Sequence, residues 1–126
     1  MIALNENELE ALRILWEQEE LKPAEIQERF SWKIENATLR SVLVKLVERG
    51  HAIRRMQGKA FFYSARVPKK TLFQSAMRTL AHVFAGGSHK ELVAQLMETS
   101  DIKPEDVKLL RETAATKFIK TPRKAK

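Results

Sequence analysis

Apolar residues recur three and four positions apart through the first fifty residues, and the spacing then switches to alternation. Leu9, Leu12, Leu15 and Trp16, with Ile14 nearer the edge, predict a helix running to about Glu20 with Trp16 in the core. Asn5 is a suitable N-cap, Glu8 follows three residues on as in a capping box, and Leu4 can staple onto Leu9. Glu6, Glu8 and Glu10 in the opening turn suit the positive end of the helix dipole. Pro23 stands where a first helical residue tolerates proline, and a short helix to Phe30 turns Ile26 and Phe30 inward. After the connection Ser31–Glu35 comes the strongest stripe of the chain, in Asn36–Gly50: Leu39, Val42, Leu43, Leu46 and Val47 share one helix face. The opposite face carries Ala37, Ser41, Val44 and Glu48, with Arg40 on one flank and Thr38 and Lys45 on the other. Gly50 supplies the left-handed conformation that ends the helix.

A short helix, a five-residue turn and a longer amphipathic helix have the spacing of a helix-turn-helix. The slim polar face at 37 and 41 would fit a major groove, which large aliphatic side chains would obstruct. An ordinary amphipathic surface helix explains this stretch alone equally well. Beyond Gly50, two short strands are predicted at about Ala52–Met56 and Ala60–Arg66, joined at Gln57-Gly58. Ile53 is expected to face the core, with Phe61 and Tyr63 on one face of the second strand and Phe62 on the other. A basic hairpin directly after a helix-turn-helix reads as a wing that lays cations along phosphates; the alternative is a hairpin that only caps the core.

Pro68 begins a different composition. A helix is expected from about Lys69 to Phe84, with Leu72, Phe73, Ala76, Leu80, Val83 and Phe84 apolar, and Gly86-Gly87 breaks it. Ser88 with Glu91 predicts a second capping box for a helix to about Glu98, and Pro104 opens a last helix. Three short helices cannot easily bury this much apolar surface alone, so a second copy of the chain is the expected cover. The expected interface residues are Leu80, Phe84, Leu92, Val93, Leu96, Met97, Val107 and Leu110. The organisation expected is mainly α with a small β-hairpin: a winged helix-turn-helix domain at 1–67, a helical dimerisation region at 68–117 and a basic, disordered tail at 118–126.

Charge sharpens this picture. Of the net +7, residues 36–70 hold nine Lys and Arg against Glu48 alone, a net of +8, whereas residues 1–35 carry a net of −5. A concentrated basic patch is the footprint of a polyanion binder. Cysteine is absent, which removes disulfide frameworks, thiolate metal sites and thiol catalysis. His51, His82 and His89 fall in three different elements without a carboxylate or thiolate set, so no metal site is expected. No Gly-rich phosphate loop, nucleophile motif or His–carboxylate constellation argues for an enzyme, and no cofactor is implied. No apolar run approaches the ~20 residues of a membrane span and the acidic N-terminus is no secretory signal, so a cytoplasmic protein is expected.

The combination LNENELEALRILW, ATLRSVLVKLVERGHAIRR, GKAFFYSARV and FAGGSHKELVAQLME resembles the penicillinase repressors of the BlaI/MecI type, with the CopY copper repressors as relatives. The resemblance runs from Leu4 to about Thr116. It implies a homodimeric transcriptional repressor of winged-helix subunits on double-stranded DNA carrying a palindromic operator. Thr38, Arg40 and Ser41 become expected major-groove contacts, joined by Ala37 and Val44 for a thymine methyl. Lys33, Lys45, Arg54, Arg55 and Lys59 are expected on the DNA backbone. Relatives governed by a membrane sensor protease are cut at an Asn-Phe bond; the matching bond here is Gln95-Leu96. The cysteine pairs of the copper repressors are missing. The rival function is a winged-helix protein-interaction adaptor, which would show an apolar groove instead of the small polar face at Ala37 and Ser41.

Overall fold

Asn5 starts the first helix by accepting the Glu8 amide at 2.8 Å, while the Glu8 carboxylate accepts the Asn5 amide at 2.9 Å. This capping box opens α1 (Glu6–Glu17). The structure, a computed structural model, describes residues 4–115; the tail expected at 118–126 and the end of the 68–117 region lie outside the described residues. In chain order there follow α2 (Pro23–Arg29), α3 (Asn36–Glu48), β1 (Ala52–Gln57), β2 (Ala60–Ala65), α4 (Lys69–Ala85), α5 (His89–Thr99) and α6 (Pro104–Ala114). Two units are distinguished, Met1–Thr79 and Leu80–Lys126, and the division falls inside α4.

The core of the first unit is built where the first three helices and the hairpin meet. Leu12, Ile14, Leu15, Ile26, Leu39, Leu43 and Leu46 are fully or almost fully buried, with Leu21, Tyr63 and Leu72 completing the cluster. The buried face of α1 is rotated from the one expected. Ile14 is completely buried with Ala11, whereas Leu9 is 38% exposed. Glu10, one turn before Ile14, is thereby carried inside, and at 7% exposure it does not act as a solvated partner of the helix dipole. Trp16 packs against the core and its indole N–H donates to the Val67 carbonyl at 2.8 Å, tying the end of the hairpin to α1.

α1 stops at Glu17 because Gln18 turns to extended backbone. That frees Leu21 to exchange backbone hydrogen bonds with Tyr63, Leu21 N–H to Tyr63 O at 3.0 Å and Tyr63 N–H to Leu21 O at 2.8 Å. The antiparallel hairpin therefore gains a third, one-residue rung from the α1–α2 connection. Its register pairs Ala52 with Ala65, Arg54 with Tyr63 and Met56 with Phe61. Alternation then puts Ile53 on the other face with Arg55 and Phe62, and Ile53 is 49% exposed, not core-facing as the sequence suggested. Tyr63 at 5% exposure decides the matter: burying the larger aromatic fixes which face of the two-strand sheet turns inward.

In the second unit Gly86 and Gly87 take positive φ (56° and 90°), and Ser88 Oγ accepts the Glu91 amide at 3.0 Å to start α5. The Gln95 side-chain amide donates to the Phe84 carbonyl at 2.8 Å. Asp106 accepts the Lys103 amide at 3.0 Å where Pro104 opens α6.

Candidate nucleic-acid interface

The turn into α3 is held by three side chains from other elements. Glu10 on α1 accepts both the amide and the hydroxyl of Ser31 at 2.8 Å each. Gln27 on α2 donates to the Ile34 carbonyl at 2.9 Å. The indole N–H of Trp32 donates to Asn7 on α1 at 2.9 Å while its ring stands edge-on to Phe30. Glu10 is held in turn by Arg13, whose Nε and Nη2 donate at 2.9 and 2.8 Å. The Arg13 hydrogen bonds, with those of Ser31 acting against burial, lower the Glu10 carboxyl to about 2. Sequence reasoning missed this clamp; the available signal was that Glu10 lies four residues before Ile14, on the face α1 buries.

With Leu39, Val42, Leu43 and Leu46 packed inward, α3 turns Ala37, Thr38, Arg40, Ser41, Val44 and Lys45 outward together, all exposed. Ala37, Thr38, Ser41 and Lys45 also line a shallow cavity of about 380 Å³ against Asn5, Asn7 and Glu8 at the start of α1. Lys33 is exposed in the turn that precedes the helix. After α3, Gly50 (φ 81°) reverses the chain, and the His51 amide donates to the Leu46 carbonyl at 2.9 Å, which fixes the hairpin to the helix. Arg49, just past α3, lies 3.6 Å from the buried Glu8 carboxylate.

The wing residues differ in their surroundings. Lys59 is exposed at the hairpin tip beside Gly58, whose φ of 63° permits the tight turn. Arg54 lies over the Phe61 ring, 4.4 Å from its centre. Arg55 points to the opposite face, where its Nε and Nη2 donate to the two Glu20 oxygens at 2.6 and 2.7 Å and its Nη1 donates to Gln57 at 2.8 Å. Hydrogen bonding to Arg55 lowers the Glu20 carboxyl and raises the guanidinium in return.

The residues placed in the second unit as an interface are largely open to solvent. Leu80 is 38% exposed, Phe84 61%, Val93 53%, Leu96 55% and Leu110 51%, and Leu92, Met97 and Val107 are half-buried. The Gln95-Leu96 bond lies within α5. Among the described residues no group of three or more His, Cys, Asp and Glu side chains could hold a metal ion, and no helix is long and apolar enough to cross a membrane.

A helix-turn-helix whose second helix shows a small polar face, followed at once by a basic antiparallel hairpin, defines a winged helix-turn-helix protein. Residues 4–116 match the penicillinase repressor family, and the chain belongs to it. It is a transcriptional regulator, and the family is one of DNA-binding repressors. A similar chain is described as an uncharacterized 16.5 kDa protein in the ptsI 3' region of Latilactobacillus sakei, 22% identical over 122 residues that cover 94% of this chain and 82% of that one. Among solved structures, M. tuberculosis Rv0081 is similar with a TM-score of 0.50 and 24% identity over 65% of this chain and 81% of that one. Lactococcus lactis ZitR aligns with a TM-score of 0.48 and 19% identity over 91% of this chain and 73% of its own.

Proposed function

We propose that the protein represses transcription as a homodimer on a palindromic operator, each subunit placing α3 in a major groove and its wing on the flanking backbone. The observation that carries this reading is the joint exposure of Ala37, Thr38, Arg40, Ser41 and Val44 on the one face of α3 that the core leaves free. Arg40 is assigned to guanine, since its planar fork matches O6 and N7, and Val44 or Ala37 to a thymine methyl. Lys33, Lys45, Arg54 and Lys59 are assigned to phosphate, where cations set register and affinity without reading sequence.

Dimerisation is supported by the open apolar side chains of the second unit, with Phe84, Leu96 and Leu110 each more than half exposed. A palindromic site then follows from two-fold symmetry, with half-sites about one or two helical turns apart. Release by proteolysis is a finer element of the same reading. A membrane sensor protease cutting Gln95-Leu96 would divide α5 between Val93 and Met97, separating residues assigned to the dimer interface. Loss of the dimer would weaken operator binding by removing the second, effectively intramolecular, contact.

Selection of bound duplexes from a random library by the full chain tests the proposal. An inverted repeat should emerge, with a guanine at one position of each half-site. Recovery of unenriched sequence would overturn operator recognition, and an enriched but asymmetric single site would overturn the dimer.

A further inference from the structure

The wing of this protein carries an arginine whose fork is already filled. Both Glu20 oxygens accept from Arg55 in the side-by-side geometry that makes guanidinium–carboxylate pairs strong, and Gln57 takes the remaining terminal nitrogen. The guanidinium also lies 5.1 Å from the centre of the Phe62 ring, its cross-strand partner. Glu20 immediately precedes Leu21, which pairs with Tyr63 of β2. Since β2 lies between Leu21 and β1, the carboxylate reaches across β2 to the outer strand, joining residues 35 apart in sequence. Two ties therefore run from the same connection, one of backbone to β2 and one of side chain to β1. Neither Arg54, set over Phe61 on the opposite face, nor Lys59 at the tip is given a carboxylate partner by any ion pair of the described residues.

We infer that Glu20 and Arg55 form a latch that holds the outer strand of the wing to the α1–α2 connection, so that Arg55 is a positioning residue and Arg54 and Lys59 supply the wing's phosphate contacts. The inference rests on the DNA-binding reading above for its consequence, though the latch itself is present in the free protein. A two-strand hairpin has little stability of its own. Fixing β1 at Arg55 limits the directions in which Lys59, four residues on, can lie. A free Arg55 would instead add one cation to the phosphate contacts and leave the hairpin anchored only through β2.

The latch is tested by amide hydrogen exchange on the full chain without DNA, comparing wild type with E20Q, R55A and the exchanged pair E20R/R55E. The latch requires E20Q and R55A both to speed exchange of the β1 amides, roughly two- to five-fold for loss of a surface pair of good geometry, with R55A at least as large because it also removes the Gln57 and Phe62 contacts. The exchanged pair should recover much of the lost protection. Unaltered β1 exchange in both E20Q and R55A overturns the latch whatever the protein binds. The consequence is read from affinity for a fluorescein-labelled mixed-sequence duplex as salt is varied. R55A should weaken binding with its log–log slope unchanged, whereas a fall in slope of about 1 would make Arg55 a phosphate contact and overturn the assignment. Failure of wild type to bind any duplex would defeat the DNA-binding reading, and with it Arg55's assigned role in binding, but the exchange result would still decide whether the latch exists.

Discussion

Replacing Glu10 with Gln removes one negative charge from the clamp that holds the turn before α3 while keeping the size of the side chain. The carboxylate is 7% exposed and accepts from Arg13 and from both donors of Ser31. Its lowering from 4.5 to about 2 corresponds to ~3 kcal/mol of preference for the charged form in the folded protein. Arg13, 44% exposed, has its share screened by water, which brings the expected loss to ~2 kcal/mol near neutral pH. The amide of Gln also meets a donor wherever it replaces an accepting oxygen, so at least one of Ser31 or Arg13 loses its partner. Because the folded carboxyl lies below its unfolded value, the contribution is complete above about 4.5 and is lost as pH falls toward about 2. Urea unfolding followed by Trp16 and Trp32 fluorescence should show the Gln variant less stable by ~2 kcal/mol at pH 7, with the gap reduced to about a quarter of that, ~0.5 kcal/mol, near pH 2.5. A gap of the same size at both pH values, or none at pH 7, would refute the charged clamp.

Other perturbations report on separate parts of the molecule. Leu43→Ala, at a site with no exposure, should cost ~2–5 kcal/mol in the same unfolding assay, because a cavity opens in the core cluster. Arg40→Ala should cost ~1–3 kcal/mol on the selected operator and relax preference at one base pair; equal weakening on every sequence would reduce Arg40 to a backbone contact. Lys59→Ala should weaken binding evenly across sequences and lower the salt slope by ~1, measured by titration of labelled duplex. Leu96→Asp should give monomers in sedimentation that hold a single half-site weakly, and a Leu96→Asp protein that stays dimeric would put the interface elsewhere.

What could be read from the chain was local in origin. The Asn5–Glu8 box, Pro23, the α3 stripe and Gly58 each act within a few residues, and each stands where the spacing placed it. The small polar face of α3 was legible for the same reason, being the complement of a stripe. What escaped depends on partners distant in sequence. Glu10 meets Ser31 and Glu20 meets Arg55 across separations of 21 and 35 residues, and no period in the sequence announces either pair. Leu21 forms a single rung with Tyr63, too short to carry a strand pattern. The strand pattern reads Ile53 as inward, but its face is decided by Tyr63 across the sheet through a register that alternates residue by residue. The rotation of α1 has a similar origin: Ala11 and Ile14 fit against the other helices more closely than Leu9, and Glu10 follows them inward because its charge is satisfied there.

The salt dependence of DNA binding tests the central claim most directly. Four assigned phosphate contacts in each subunit, Lys33, Lys45, Arg54 and Lys59, make eight in a dimer, and a release of about 0.9 counterion per contact gives a log–log slope of roughly −7. Titrating the full chain into its selected duplex between roughly 50 and 200 mM salt should return a slope near that figure and binding as a dimer. A slope close to zero, or one near half that size with a single subunit bound, would contradict a paired recognition helix and wing held on duplex phosphates.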